Sequence, residues 1–198
     1  TTSNGVYDVV INGVDTEKVI VTTPYGDVLP SSKALAGAGV EMIELPGRQF
    51  LLKKALAQVA DRYDFIFIDC PPSLELLTLN ALCAAHTLLV PVQGEYFALE
   101  GLSDLMSTVR AVRRSMNPEL QIEGVLLTMF DGRMNLSIQV AQEIKRFFPG
   151  KVYATVIPRN VRLSEAPSHG KPVTAYDPYS RGAEAYRALA EELVAIHT

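Results

Sequence analysis

The stretch Phe65-Ile66-Phe67-Ile68-Asp69-Cys70-Pro71-Pro72 decides the fold. Four consecutive aromatic and β-branched residues suit a strand covered on both faces, and the two prolines halt its ladder. Such a strand belongs in a parallel sheet, and this one delivers an acid, Asp69, to its carboxyl end. In open α/β sheets ligands bind beyond the carboxyl ends of the strands. Asp69 therefore stands where a nucleotide-bound magnesium ion would be held, directly or through a water. The same carboxylate also suits the start of a helix near Ser73, whose free amides it would cap.

Outward from this run, similar apolar segments at 27–29, 87–91, 122–129 and 152–157 read as further strands. Between them Leu99, Leu102, Leu105, Val109, Val112 and Met116 recur at steps of three and four, predicting an amphipathic helix that Pro118 ends. Leu136, Val140, Ile144 and Phe147 predict a second such helix, and Tyr186, Leu189, Leu193 and Ile196 a last one from about Gly182. The expected fold class is α/β, a mostly parallel sheet flanked by helices, in a single domain over residues 1–198. Residues 158–181, rich in Pro, Gly, Ser and Asn, break the rhythm with only a short helix near 161–166. A connection that long in a compact domain is usually functional.

A chain of 198 residues, 48% hydrophobic and 20% charged, can bury a real core and is not of disordered composition. No apolar run reaches bilayer length, and the opening Thr-Thr-Ser-Asn-Gly is neither basic nor followed by an apolar stretch, so a cytoplasmic protein is expected. Cys70 and Cys83 lack CxxC spacing and histidine partners, and are expected to be reduced core thiols. The formal net charge is -4, but residues 1–129 carry 9 Lys+Arg against 15 Asp+Glu while residues 130–198 carry 9 against 7. The small basic excess sits in the C-terminal third.

The motif that would settle nucleotide binding is GxxxxGK[ST], whose amides and lysine cradle phosphates. The 198 residues do not contain it. Gly150-Lys151 and Gly170-Lys171 lead into Val and Pro, without glycine at the earlier position. The residues alone thus predict an α/β domain able to bind a ligand at its strand ends.

Four blocks carry a resemblance: FIFIDCPPSLELLTLNAL (65–82), PVQGEYFALEGLSDL (91–105), IEGVLLTMFDGRMNLSIQV (122–140) and VYATVIPRNVRLSEAPSHGKPVTAYDPYSRGAEAYRALAEEL (152–193). In order and spacing they resemble the ParA/Soj family of chromosome and plasmid partitioning ATPases, deviant Walker A proteins of the MinD/ParA superfamily. The similarity covers essentially the whole chain, most closely from Gln49 onward. The family's opening strand, its KGGVGKTT loop and its DxDPQGN segment have no counterpart here. The resemblance therefore implies a P-loop NTPase-like domain that is incomplete, N-terminally truncated with first strand and phosphate loop missing, and by itself a poor or inactive ATPase.

Carried onto this sequence, the resemblance makes Asp69 the Walker B acid of a Mg-ATP site. It places Pro158, Arg159 and Asn160 beside the adenine, with Met129 and Asp131 on a loop bordering the base. Arg133 and Arg162 match arginines that contact non-specific DNA once ATP has made the protein a homodimer, and Lys171 and Arg181 share that basic region. A ParB-type partner would stimulate hydrolysis, and the protein would be cytoplasmic and nucleoid-associated. Gln93, Glu95 and Glu100 follow the strand ending near Pro91, with site, capping and surface roles all open. His169 has no nucleophile beside it in the sequence, so no catalytic role is expected for it. Two alternatives stand beside this reading: a MinD-like ATPase using a C-terminal amphipathic helix on membranes, and a non-enzymatic paralogue acting as an interaction module. The acids of the final residues, Glu191 and Glu192, weigh against the former.

Overall fold

The structure, a computed structural model, describes residues 4–71, 73–95 and 97–198. It divides into two compact units, Thr1–His86 with Ser107–Leu120, and Thr87–Met106 with Gln121–Thr198. In the first unit helix α1 (Val6–Val10) is followed by a hairpin of β1 (Val21–Thr23) and β2 (Gly26–Val28). The strand expected at 27–29 is thus present one residue earlier, but it pairs antiparallel with β1 and is exposed. The tight turn explains this: Gly26 adopts φ 134°, open to glycine, and Thr23 Oγ1 donates to Gly26 O at 2.7 Å.

Helices α2 (Leu35–Glu41), α3 (Leu51–Leu56) and α4 (Leu76–Ala84) complete the unit's core, with Val10, Leu52 and Ala81 packed together. Buried Asn80 ties this core: its Oδ1 accepts from Leu52 N at 3.1 Å, and its Nδ2 donates to Arg48 O at 2.8 Å and Leu76 O at 3.0 Å.

The decisive run at 65–69 is not a strand. Among the described residues it joins no β-ladder, and Phe67 is 74% exposed. Only Ile68 packs against the core. A strand needs a ladder partner to satisfy its amides and carbonyls, and an apolar pattern alone does not supply one. Pro72 lies outside the described residues. Cys83 is buried as expected, whereas Cys70, just beyond this run, is exposed.

In the second unit β3 (Thr87–Gln93) and β4 (Gln121–Thr128) run parallel, with Val90 opposite Val125 and Val92 opposite Leu127. The alternation of side chains fills both faces. Val90, Val92, Val125 and Leu127 pack against Leu102 of α5 (Phe97–Ser115) and against Val140, Ala141 and Ile144 of α6 (Asn135–Phe147). Leu126, on the other face, joins Tyr153 and Ile157 against Leu189 and Leu193 of α9 (Arg181–His197). The strand expected at 152–157 is an irregular run beside β4, bridged among the described residues at Val152 and Pro158 and held by Tyr153 N to Val125 O at 3.0 Å and Ile157 N to Leu127 O at 2.9 Å. Two short helices, α7 (Val161–Glu165) and α8 (Val173–Tyr176), occupy the long connection.

Candidate functional site

The parallel ladder ends at Gln93 and Thr128, and the chain beyond it builds a cluster of polar groups. Met129 has φ 48°, a conformation uncommon for any residue but glycine, which swings the chain out of the ladder. Phe130 N then bonds Ile157 O at 3.1 Å, so the loop after β4 lies beside Pro158. After β3, Gly94 O accepts from Ser137 Oγ at 3.1 Å, and a Cβ on Gly94 would come within 2.9 Å of that oxygen. Glycine is required by this close approach. Glu95 faces Arg159 at 4.0 Å, both side chains largely exposed, an ion pair too open to fix geometry by itself.

Asp131 is held far more firmly. Its carboxylate accepts from Arg133 Nε at 2.9 Å, Arg133 Nη2 at 2.7 Å and Arg133 N at 3.0 Å. These hydrogen bonds, the side-chain ones foremost, pull its pKa from 3.8 to about 2. The pair is therefore complete throughout the neutral range and is lost only as pH falls through about 2. Arg133 keeps three further N–H donors, and its side chain is 90% exposed.

Arg162 is more constrained. Its Nη1 meets Glu165 Oε2 at 2.8 Å and its Nε meets Asp177 Oδ2 at 3.1 Å. Bonding to Arg162 holds Glu165 below the usual carboxylate range. Asn160 caps α7, accepting from Arg162 N at 2.9 Å. His169 stacks on Tyr176, ring centroids 4.8 Å apart, and Tyr176 Oη donates to Glu165 at 3.3 Å. Sequence reasoning named Asp131 only as a residue bordering the base, and missed both its grip on Arg133 and the Glu165 and Asp177 carboxylates that hold Arg162. The Asp131-Gly-Arg133 spacing, an acid two residues before an amide it can accept from, carried the signal for the first pair. Glu165 and Asp177 gave none, because their approach depends on how α7 and α8 pack.

Met129, Asp131, Arg133, Pro158, Arg159, Asn160 and Arg162 all belong to the second unit, together with Lys171 and Arg181, while Asp69 belongs to the first. Asp69 is exposed, and among the described residues its carboxylate has no hydrogen-bond or ion-pair partner. It does not cap the next helix: α4 begins at Leu76 with Glu75 at its N-cap. A single unengaged carboxylate fits magnesium, which keeps most of its waters and takes one or two protein carboxylates plus phosphate oxygens. Among the described residues no group of three or more His, Cys, Asp and Glu forms a protein cage for a metal, and none is needed by such an ion.

The whole chain can be set against known proteins. A family model described as an AAA domain matches residues 1–122. The sporulation initiation inhibitor protein Soj of Bacillus subtilis (strain 168) is 56% identical over 192 residues, covering 96% of this chain and 76% of that protein. The chain belongs to the ParA/Soj family of partitioning ATPases. The chromosome partitioning protein ParA of Myxococcus xanthus is 48% identical over 191 residues, 96% of this chain and 68% of that protein. Among solved structures, cobyrinic acid a,c-diamide synthase from Mycobacterium smegmatis with bound ADP and magnesium superposes with a TM-score of 0.82 at 34% identity, covering 98% of this chain and 72% of that one. The ParA/Soj assignment thus agrees with the P-loop NTPase-like α/β architecture. Among the described residues, no helix is long and apolar enough to cross a membrane.

Proposed function

We propose that this chain is the larger part of a ParA/Soj-type ATPase that uses Mg-ATP to dimerise and to bind DNA without sequence preference. The observation that carries this reading is the 56% identity to Soj over 96% of the chain. Asp69 holds the magnesium ion on the triphosphate, directly or through a water, and its unengaged carboxylate supports that role. Pro158, Arg159 and Asn160 lie beside the adenine, with Met129 and Asp131 at its border. Their gathering at the carboxyl ends of the second unit's strands supports it, since open α/β sheets bind ligands there. Arg133 and Arg162 bind DNA phosphates in the ATP-bound homodimer, and a ParB-type partner stimulates hydrolysis and release from the nucleoid. On this reading residues 1–198 form one functional domain.

The membrane-associated alternative finds less support, because the middle of α9 is engaged with the core: Leu189 and Leu193 pack on Tyr153 and Ile157, and Glu192 accepts from the amides of Ala154 and Thr155 at 2.7 and 2.9 Å, while Tyr186, Val194 and Ile196 are exposed. Without a GxxxxGK[ST] loop in its 198 residues, the chain alone lacks the amides and lysine that neutralise a triphosphate. Calorimetric titration with Mg-ATP should show no micromolar binding to it. Micromolar binding by the chain itself, abolished by Asp69→Ala, would mean the site is built differently. With an upstream phosphate-loop segment joined and ATP bound, random-sequence duplex DNA should bind at low salt, and Arg133→Ala and Arg162→Ala should weaken it equally on any sequence.

A further inference from the structure

Helix α5 ends in an arginine cluster that the site described above does not use. Arg110, Arg113 and Arg114 are exposed and, with Ser107 and Pro118, line an open depression of about 650 Å³ in the first unit. Arg110 Nη2 donates to Ser107 Oγ at 2.9 Å, which steadies its guanidinium against the helix. Among the described residues none of the three has a carboxylate partner. Arg62, Arg133, Arg159 and Arg162, by contrast, each face at least one acid.

The arrangement is not one that helix stability selects. Arg110 stands three and four residues before Arg113 and Arg114, so like charges are neighbours on the helix surface and repel. The dipole at the helix C-terminus favours Arg113 and Arg114 in the last turn, but its reach does not extend back to Arg110. Nor is the depression a pocket for a small molecule, since such sites are concave and bury most of their ligand.

We infer that Arg110, Arg113 and Arg114 form a second phosphate-binding patch, which takes the sugar–phosphate backbone of DNA. Guanidinium groups remain charged at all working pH values and grip phosphate oxygens through paired N–H donors. Residues three and four apart on a helix lie about 5–6 Å from each other at Cβ, a spacing able to follow phosphates along one strand. Contacts to phosphates carry no sequence information, so binding through this patch is sequence-independent. The inference rests on the DNA-binding reading above but not on Arg133 or Arg162, which lie in the other unit and are already engaged by acids.

Fluorescence anisotropy with a random-sequence duplex over a salt series tests it, using both the 198-residue chain at low salt and the protein joined to a phosphate-loop segment with Mg-ATP. The variants are the triple Arg110→Ala, Arg113→Ala, Arg114→Ala, the corresponding triple Lys, and the double Arg133→Ala, Arg162→Ala. Loss of three phosphate contacts should lower the slope of log K against log salt by about 2 to 3 in the triple Ala variant, while the triple Lys variant keeps most of the slope. Thermal melting by circular dichroism should be nearly unchanged, because all three side chains are exposed. Wild-type slope and affinity in the triple Ala variant, with loss in the double variant, would overturn the patch and leave the DNA reading intact. Absence of DNA binding by every form would overturn both. Displacement of the duplex by polyglutamate as readily as by competitor DNA of equal charge would also overturn the patch, marking it as a surface for an acidic protein.

Discussion

Residues 65–69 and β4 each contain an apolar run, Phe65–Ile68 and Val125–Leu127, that leads toward an acid, but they end in opposite states. β4 is hydrogen-bonded on both sides, to β3 and to the run at 151–157, and Val125 at its middle is fully buried. Its acid, Asp131, is gripped by Arg133. Among the described residues the 65–69 run has no ladder partner, it leaves Phe65, Ile66 and Phe67 exposed, and Asp69 has no partner of its own. An apolar run nominates a strand, and only neighbours on its edges make it one. The same contrast separates an acid used to hold structure from an acid left available for a ligand.

The largest expected effect breaks this comparison at its centre. Val125→Asp buries a charge with no partner and should cost several kcal/mol, about 3 or more, enough to remove the cooperative transition from a urea melt. Phe67→Asp, at a position 74% exposed, should change stability by no more than about 0.5 kcal/mol. Equal costs would mean that the 65–69 run is packed in solution.

A smaller effect probes how tightly β4 is wedged. A Cβ on Gly124 would sit 2.6 Å from Tyr153 Cε2, so Gly124→Ala should destabilise by about 1–3 kcal/mol. Tyr153 is itself informative. Its hydroxyl is buried without a partner among the described residues, and burial pushes the phenol up to about 12. Tyr153→Phe removes an unpaired polar group, and should be neutral or stabilising by up to about 1 kcal/mol in the same melts.

The contrast also shows what the sequence could disclose. The helices at Phe97–Ser115, Asn135–Phe147 and Arg181–His197 lie within two residues of where a step of three and four places them, because helical hydrogen bonds are local and the apolar stripe is written into the chain. β3 and β4 were legible as continuous apolar runs covered on both faces. Pairing was not legible: nothing in Phe65-Ile66-Phe67-Ile68 says whether a neighbour is present, and nothing in 26–28 says that its partner is the strand just before it. At the candidate site the residue types were readable and their engagement was not. Asn160 proved to be a helix cap and Arg162 to lie between two carboxylates, both consequences of how the 158–181 connection folds.

The smallest expected effect sharpens the difference between the acids. Carbon-detected NMR of the Asp131 carboxyl should show a titration midpoint near 2, with the carboxylate–arginine pair intact at every pH above the ordinary aspartate range. Arg133→Ala should return that midpoint to about 4. A midpoint already near 4 in the unsubstituted protein would mean that the pair is broken in solution and that Arg133 is fully available to phosphates.

The account's central claim, that Asp69 is the magnesium-holding acid of a ParA/Soj-type ATPase, is tested most directly by magnesium-dependent ATP turnover in the protein joined to a phosphate-loop segment. Asp69→Ala should reduce turnover by about 100-fold or more, as loss of an electrostatic contributor to the reacting phosphate does, while Asp131→Ala changes nucleotide affinity and leaves the magnesium dependence as it was. Unchanged turnover and magnesium dependence in Asp69→Ala would contradict the assignment.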